Sequence, residues 1–243
     1  MVWGFALNFM ANFFNQVLVY PLLNLLIFFY HYIPDIGAVI ILLTIVVRLI
    51  LLPSFHKSLK HQKALSELQP KMNEIKEKYK DDKEMQSKAM MELYSVHKVN
   101  PLSSCLPLLI QLPILIALYT VFNRTLNGSP LQGLYPFIHN PGAINPVFLH
   151  WINLAHVNVV MAVMAGLLQY WQSRLMLPKS PATDATTKMM QYQTLYFLPA
   201  ITILFGARFP AGLTLYWIVT TLFGIGQQYY ILRKEEHKLL GIK

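Results

Sequence analysis

The sequence predicts an all-α, polytopic membrane protein: five transmembrane helices, a cytoplasmic helical hairpin and an outer interfacial helix. Three observations lead there. Apolar residues make up 55% of the 243 and charged residues only 13%, about half the charged share of a soluble domain. Mean hydropathy is positive, at +0.42. The charges are also segregated: residues 1–47 hold only Asp35, residues 125–173 hold none, and ten of the twenty lysines and arginines fall within 57–98. Basic clusters confined to certain loops of an apolar chain read as topology determinants. The net charge of +9 therefore implies no direct nucleic-acid readout.

Taken in order, the first element is the apolar stretch 12–33, interrupted by Asn15, Gln16, Asn24 and His31. Pro21 is expected to break its hydrogen-bond ladder early. Pro34-Asp35 leaves too short a link for an ordinary crossing, so residues 1–35 are read as an interfacial amphipathic helix region on the outer surface. Five spans follow at 36–53, 103–124, 155–177, 191–209 and 211–232, each near the ~20 residues that a hydrocarbon core of ~30 Å demands. Together they make a core over 36–232, followed by a short basic cytoplasmic tail, 233–243. Placing 54–100, 178–190 and the C-terminus inside collects sixteen basic residues there, with Arg124 and Arg208 near the outer edges. This satisfies the positive-inside rule with the N-terminus outside and the C-terminus in the cytoplasm.

The polar segment 54–100 carries helical periodicity of its own. Leu65, Leu68, Met72, Ile75 and Tyr79 recur at steps of three and four, and Met85, Ala89, Leu93 and Val96 continue a second stripe after Asp81-Asp82. Two such stripes joined by an acidic turn predict an antiparallel, coiled-coil hairpin. A tight Arg208-Phe209-Pro210 corner joins the last two spans.

Catalytic motifs are absent. There is no G-x-S-x-G, H-E-x-x-H, phosphate-binding glycine loop or C-x-x-C, and the spans contain no acid for a proton relay. Cys105 is the single cysteine, so no intrachain disulfide forms, and it reads as a small buried hydrophobe. The N-terminal residues show neither a signal peptide nor a lipidation cysteine. Nothing in the sequence calls for ATP, a metal or another cofactor, and the chain is not read as an enzyme.

What the spans do contain is Arg48, set within GAVIILLTIVVRLILL (37–52). A guanidinium cannot lose its proton, so the fold must bring water or polar partners to it. At a span's centre it costs at least ~2.5–3.5 kcal/mol on insertion scales. Thr44 lies one turn away on the same face. Gln111, Asn158, Gln169, Gln172, Gln191, Gln193 and Gln227 are spread over the other spans. Any one amide reads as interhelical glue. Amides on every other span, alongside an arginine to which the spans offer no acid, read better as the lining of a shared hydrated groove. Tyr216 and Trp217, within the last span, suit a groove or packing role as well as an interface belt.

Four blocks carry a resemblance to a known family. They are TIVVRLILLP over 44–53, QPKMNEI over 69–75, VNPLSSCLPLLIQLPI over 99–114 and FPAGLTLYW over 209–217. In order and spacing the chain resembles the YidC/Oxa/Alb membrane protein insertases over nearly its full length. The resemblance implies a five-helix core in the bacterial inner membrane, with a groove open to cytoplasm and lipid and closed outside. It implies that Arg48 attracts polar or acidic parts of a nascent protein, and that Thr44, Gln111, Gln169, Tyr216 and Trp217 lie in or beside the groove or contact substrate. The implied partners are nascent membrane proteins and the lipid bilayer, with the ribosome, the signal recognition particle receptor and the Sec translocon as further candidates. Ser103-Ser104 departs from a pair that is often glycine. The expected chain lacks a leading span and a large outer domain, and its tail is short for autonomous ribosome binding.

Two rivals remain open on the residues. An assembly chaperone that holds helices without inserting them would use the same groove. A small transporter would predict internal repeats or acidic coupling residues, and neither is present.

Overall fold

The computed structural model describes residues 9–100, 106–177 and 185–239. The expectations for residues 1–8, Ser103, Ser104, Cys105, Lys179, Asp184 and 240–243 lie outside the described residues. The chain runs α1 (Phe9–Tyr32), α2 (Ile36–Glu67), α3 (Gln69–Lys78), α4 (Lys83–Val96) and α5 (Leu106–Leu126). A two-stranded antiparallel sheet follows, β1 (Val147–Phe148) and β2 (Ile152–Asn153), with Val147 opposite Asn153 and Phe148 opposite Ile152. Then come α6 (Val159–Met176), α7 (Ala185–Tyr192), a π-helical turn Gln193–Phe197, α8 (Leu198–Gly206) and α9 (Ala211–Leu239). The mostly helical reading holds, and the small sheet is an addition to it.

Proline placement shapes the helices differently from the sequence expectation. Pro21 does not end α1. The turn Asn15–Val19 widens to π-helical geometry, and the Tyr20 N–H reaches back to the Asn15 carbonyl. The same device precedes Pro199, where the Leu198 N–H bonds the Gln193 carbonyl. A proline ring crowds the carbonyl four residues back, and a π turn displaces that carbonyl. Pro53 sits inside α2, which continues past the expected span end to Glu67. The break comes instead at Leu68, with Pro70 in the first turn of α3, so the Leu65–Tyr79 stripe is divided between two helices.

Among the described residues, three helices are long and apolar enough to cross a membrane by length and composition: Phe9–Tyr32, Ile36–Glu67 and Leu109–Leu126. The first of these is the stretch expected to lie at the interface. Gln193–Gly206 is a shorter apolar helix. Amides and Arg174 dilute α6, and threonines, glycines and the Gln227-Gln228 pair dilute α9. α9 extends helically through Arg233 and Lys234, beyond the expected last span.

The described residues group into two compact units. The first comprises 9–49, 109–165 and 202–220. Its core is a set of helical stripes: Val19, Leu23, Leu26 and Ile27 on α1, Ile36, Val39, Ile40 and Leu43 on α2, and Ala117, Leu118, Val121 and Phe122 on α5. Close approaches tie its ends. The amides of Ala211 and Gly212, left without helical partners at the start of α9, donate to the carbonyls of His156 and Leu154 at 2.8 and 3.0 Å. The uncharged loop after α5 is held on α1 by Asn24. Its Nδ2 donates to the Tyr20 and Gly133 carbonyls, each at 2.8 Å, and its Oδ1 accepts the Tyr135 N–H at 2.7 Å.

The second unit comprises 50–100, 106–108, 166–177, 185–201 and 221–239. Asp82 caps α4 by accepting the Met85 N–H at 3.0 Å. Gln86 Nε2 donates to the Lys76 carbonyl at 3.1 Å, the Tyr94 hydroxyl meets Met72 Sδ at 4.0 Å, and Lys71 Nζ lies 3.2 Å from His97 Nε2. These pairs bring α3 and α4 side by side, and burial pushes the Tyr94 phenol up.

Two glycines make opposite predictions. A Cβ on Gly206 of α8 would sit 2.8 Å from Ala162 Cβ and 3.0 Å from Ala162 Cα on α6, the close approach that small residues permit between membrane helices. Gly206→Ala should lower the unfolding midpoint in detergent, with a cost of about 1–3 kcal/mol for overpacking against backbone. Gly226 in α9 has nothing within 4 Å of that position, so Gly226→Ala should be neutral or stabilise by up to about 1 kcal/mol through helix propensity. The same thermal scan reads both.

Candidate functional site

The first unit brings together three of the expected site residues. The buried stripe of α2, read as Ile36, Ile40, Thr44 and Arg48 at i, i+4 spacing, ends at Arg48, which is 9% exposed. Tyr216 of α9 is 2% exposed and stands within electrostatic range of Arg48. Gln111 of α5 donates from Nε2 to the Tyr216 hydroxyl at 2.6 Å. Three helices far apart in sequence thus converge on one cationic, hydroxyl- and amide-lined point. The Asp35 carboxylate is engaged elsewhere, accepting the amides of Gly37, Ala38 and Leu149. At the helical rise it stands about 20 Å from Arg48 along the α2 axis.

Thr44 is 1% exposed, and its hydroxyl donates to the Ile40 carbonyl at 2.6 Å. Its proton is committed to its own helix, leaving only acceptor capacity. Trp217, one residue after Tyr216, is half-buried and lines a cleft with Thr202, Phe205, Gly206, Phe209 and Thr214. Gln169 belongs to the second unit and is half-buried on α6.

The other amides divide by role. Asn158 is a helix cap, its Oδ1 accepting the Met161 N–H at 3.1 Å. Gln193 is exposed and Gln191 half-buried. Gln172 fills a notch left by Gly224, where a Cβ would meet its Nε2 at 2.1 Å. Sequence reasoning singled out Gln227 but passed over Gln228, Thr214 and Thr220. Each of the four is buried, with a side-chain atom (Gln227 Nε2, Gln228 Oε1 and the two threonine hydroxyls) that lacks a hydrogen-bond partner among the described residues. Leaving a buried donor or acceptor unpaired costs ~1–3 kcal/mol, so such atoms call for water or a polar visitor. Polarity within an otherwise apolar span was the signal available for all four. No group of three or more metal-ligating side chains occurs among the described residues.

The Gln111–Tyr216 bond is directly testable. Gln111→Leu and Tyr216→Phe should each destabilise the detergent-solubilised protein by about 0.5–1.5 kcal/mol. The double mutant should fall short of their sum by about 0.6 kcal/mol, the usual coupling of an interhelical hydrogen bond in a membrane protein. Additive losses in a double-mutant cycle would show that the bond contributes nothing.

Comparison with known proteins identifies relatives of the chain. Residues 28–238 match the family model described as 60Kd inner membrane protein. A membrane protein insertase YidC of Pelobacter propionicus is 37% identical over 217 residues, covering 88% of this chain and 38% of the relative. Its counterpart in Geobacter sulfurreducens is 35% identical, covering 89% and 37%. The chain thus spans about four-tenths of the length of these relatives. Among solved structures, an active YidC insertase crystal structure with the first transmembrane domain resolved is similar at a TM-score of 0.61 and 29% identity, over 89% of this chain and 46% of that one. With its family model matched over most of its length, the chain belongs to the 60Kd inner membrane protein family.

Proposed function

We propose that this chain is a membrane protein insertase and chaperone. It moves hydrophilic segments of nascent membrane proteins through a hydrated intramembrane groove and releases their apolar helices into lipid. The observation that carries the reading is the buried Arg48, on a helix whose spanning portion holds no acid, beside the Tyr216 hydroxyl that Gln111 holds. The relatives' shared name, membrane protein insertase YidC, supports it.

The physical basis is solvation. A polar segment crossing hydrocarbon costs several kcal/mol for each unsatisfied group, and a wet groove shortens the apolar path. The buried Thr214 and Thr220 hydroxyls, in the same unit as Arg48 and without a hydrogen-bond partner among the described residues, are suited to holding that water. Arg48 draws an acidic segment inward, and apolar burial then makes lateral release favourable. In this reading 36–53, 103–124, 155–177, 191–209 and 211–232 span the bilayer. Residues 54–100 form a cytoplasmic hairpin that receives substrates, supported by the contacts between α3 and α4. The 1–35 region lies on the outer face, with the N-terminus outside and the C-terminus in the cytoplasm. Thr44, Gln169 and Trp217 are the further groove positions. The ribosome, the signal recognition particle receptor and the Sec translocon are the proposed partners in delivery.

The test is reconstitution with a small single-span substrate bearing an acidic translocated segment. At an effective dielectric of about 20, a charge pair ~10 Å apart is worth about 1.7 kcal/mol. Arg48→Ala should therefore cut the insertion yield roughly tenfold. Its thermal stability should hold or rise, because a costly intramembrane charge is gone. Arg48→Lys should retain part of the yield, since the charge persists while the planar fork is lost. Normal insertion by Arg48→Ala would sink the electrostatic mechanism. Aggregation of that variant would make Arg48 a structural residue. Substrate capture without insertion by the unmutated chain would leave an assembly chaperone.

A further inference from the structure

The uncharged segment between α5 and α6 carries a feature that substrate insertion does not use. The sheet of β1 and β2 closes through Leu149, His150 and Trp151, and the Trp151 N–H bonds the Phe148 carbonyl at 3.1 Å. Leu149 and His150 both take left-handed backbone conformations, at φ 51° and 66°. Glycine or asparagine would normally occupy such a turn, and a branched apolar residue there is strained. The strain is coupled to exposure: Leu149 is 59% and Trp151 90% exposed.

The depth of this tip is set by its seat on α2. Asp35 caps that helix through Oδ1, accepting the amides of Gly37 and Ala38 at 2.9 and 3.0 Å, while its Oδ2 accepts the Leu149 N–H at 3.2 Å. The Phe148 ring lies against Gly37 so closely that a Cβ there would come within 2.0–2.7 Å of it. α2 is long and apolar enough to cross a membrane, so its capped end lies where hydrocarbon gives way to water. A tip bonded to that cap lies at the same level, where tryptophan is favoured.

We propose that Leu149–Trp151 is a lipid-interface anchor, seated among phospholipid glycerol and headgroup atoms at a depth set by the Asp35 clamp. The occupant is the bilayer surface, because the tip is apolar, its loop carries no charge, and it is tied to the end of a spanning helix. This inference does not depend on Arg48 or on insertion activity.

The experiment uses the full chain in phospholipid vesicles, with Trp3, Trp171 and Trp217 replaced by Phe so that Trp151 is the only tryptophan. Phospholipids brominated near the carbonyl should quench Trp151 at least about twofold more than aqueous iodide does, and its emission should be shifted to the blue of free tryptophan. Leu149→Gly relieves the left-handed strain and should raise thermal stability while moving Trp151 toward iodide. Asp35→Ala should weaken bromolipid quenching about twofold. Should the triple replacement fail to fold, Trp151→Cys in a Cys105→Ser background, carrying a spin label, reads the same depth through oxygen and nickel accessibility. Water-like emission with strong iodide quenching would overturn the proposal. Protection from both bromolipid and iodide would also overturn it, since a second copy or another protein would then cover the tip. Undiminished bromolipid quenching in Asp35→Ala would overturn the clamp.

Discussion

A guanidinium that cannot discharge, carried on a helix whose spanning portion holds no acid, constrains everything built around it. Arg48 closes the buried stripe of α2, so the neighbouring helices must meet it with polarity that is neutral rather than anionic. Tyr216 and Gln111 do so as a pair, with the amide donating to the phenol at 2.6 Å. A carboxylate in their place would neutralise the charge and, in a low-dielectric setting, hold it tightly. In the proposed reading, an acidic segment of the substrate takes the place such a carboxylate would hold.

The same economy of polar groups governs the side of the first unit that holds the loop after α5. Asn24 and Asp35 are polar residues in or beside apolar helices, and each spends its side chain on loop backbone. Asn24 binds Gly133 and Tyr135, and Asp35 binds Leu149 while capping α2. Backbone amides and carbonyls of an irregular segment cannot be left bare near a membrane. Two short side chains satisfy several of them and hold the loop in place. The glycines at these contacts serve as clearances: Gly133 lies against Tyr20, and Gly37 against Phe148.

Proline is absorbed in two ways. Before Pro21 and Pro199 the helix opens into a π turn, whereas Pro53 and Pro113 are carried within α-helix. A π turn leaves a locally wider backbone, and the one before Pro199 lies in the segment expected to be the fourth span. Among the described residues, buried side-chain polar atoms without a hydrogen-bond partner occur at Thr214, Thr220, Gln227 and Gln228, which lie on α9. That helix thus combines a close-packed start, at Ala211 and Gly212, with a run of unmet hydrogen-bonding capacity further along.

Hydropathy, charge segregation and four motif blocks were sufficient to identify the helical membrane class and the family, and to single out Arg48 as the residue on which the proposed function rests. These signals are local and survive without coordinates, because apolar runs, charges and motif spacing are properties of the chain itself. Sequence periodicity read apolar stripes over 65–79 and 85–96, but the first is divided between α2 and α3, and Met85 and Val96 of the second are exposed. It did not anticipate that helix continues through Pro21 and past Pro53, because whether a proline breaks a helix depends on what can re-satisfy the freed carbonyl. Tertiary structure alone decided which amides are partners and which are caps. Gln111 reaches Tyr216 across 105 residues, while Asn158 serves only the start of its own helix. It also decided that Thr44 turns its proton inward to Ile40, and that Asp35 holds a strained apolar tip rather than standing as a loose surface charge. A hydrogen bond is directional and short, so its partner follows from where the backbone brings two groups within about 3 Å, and composition cannot specify that.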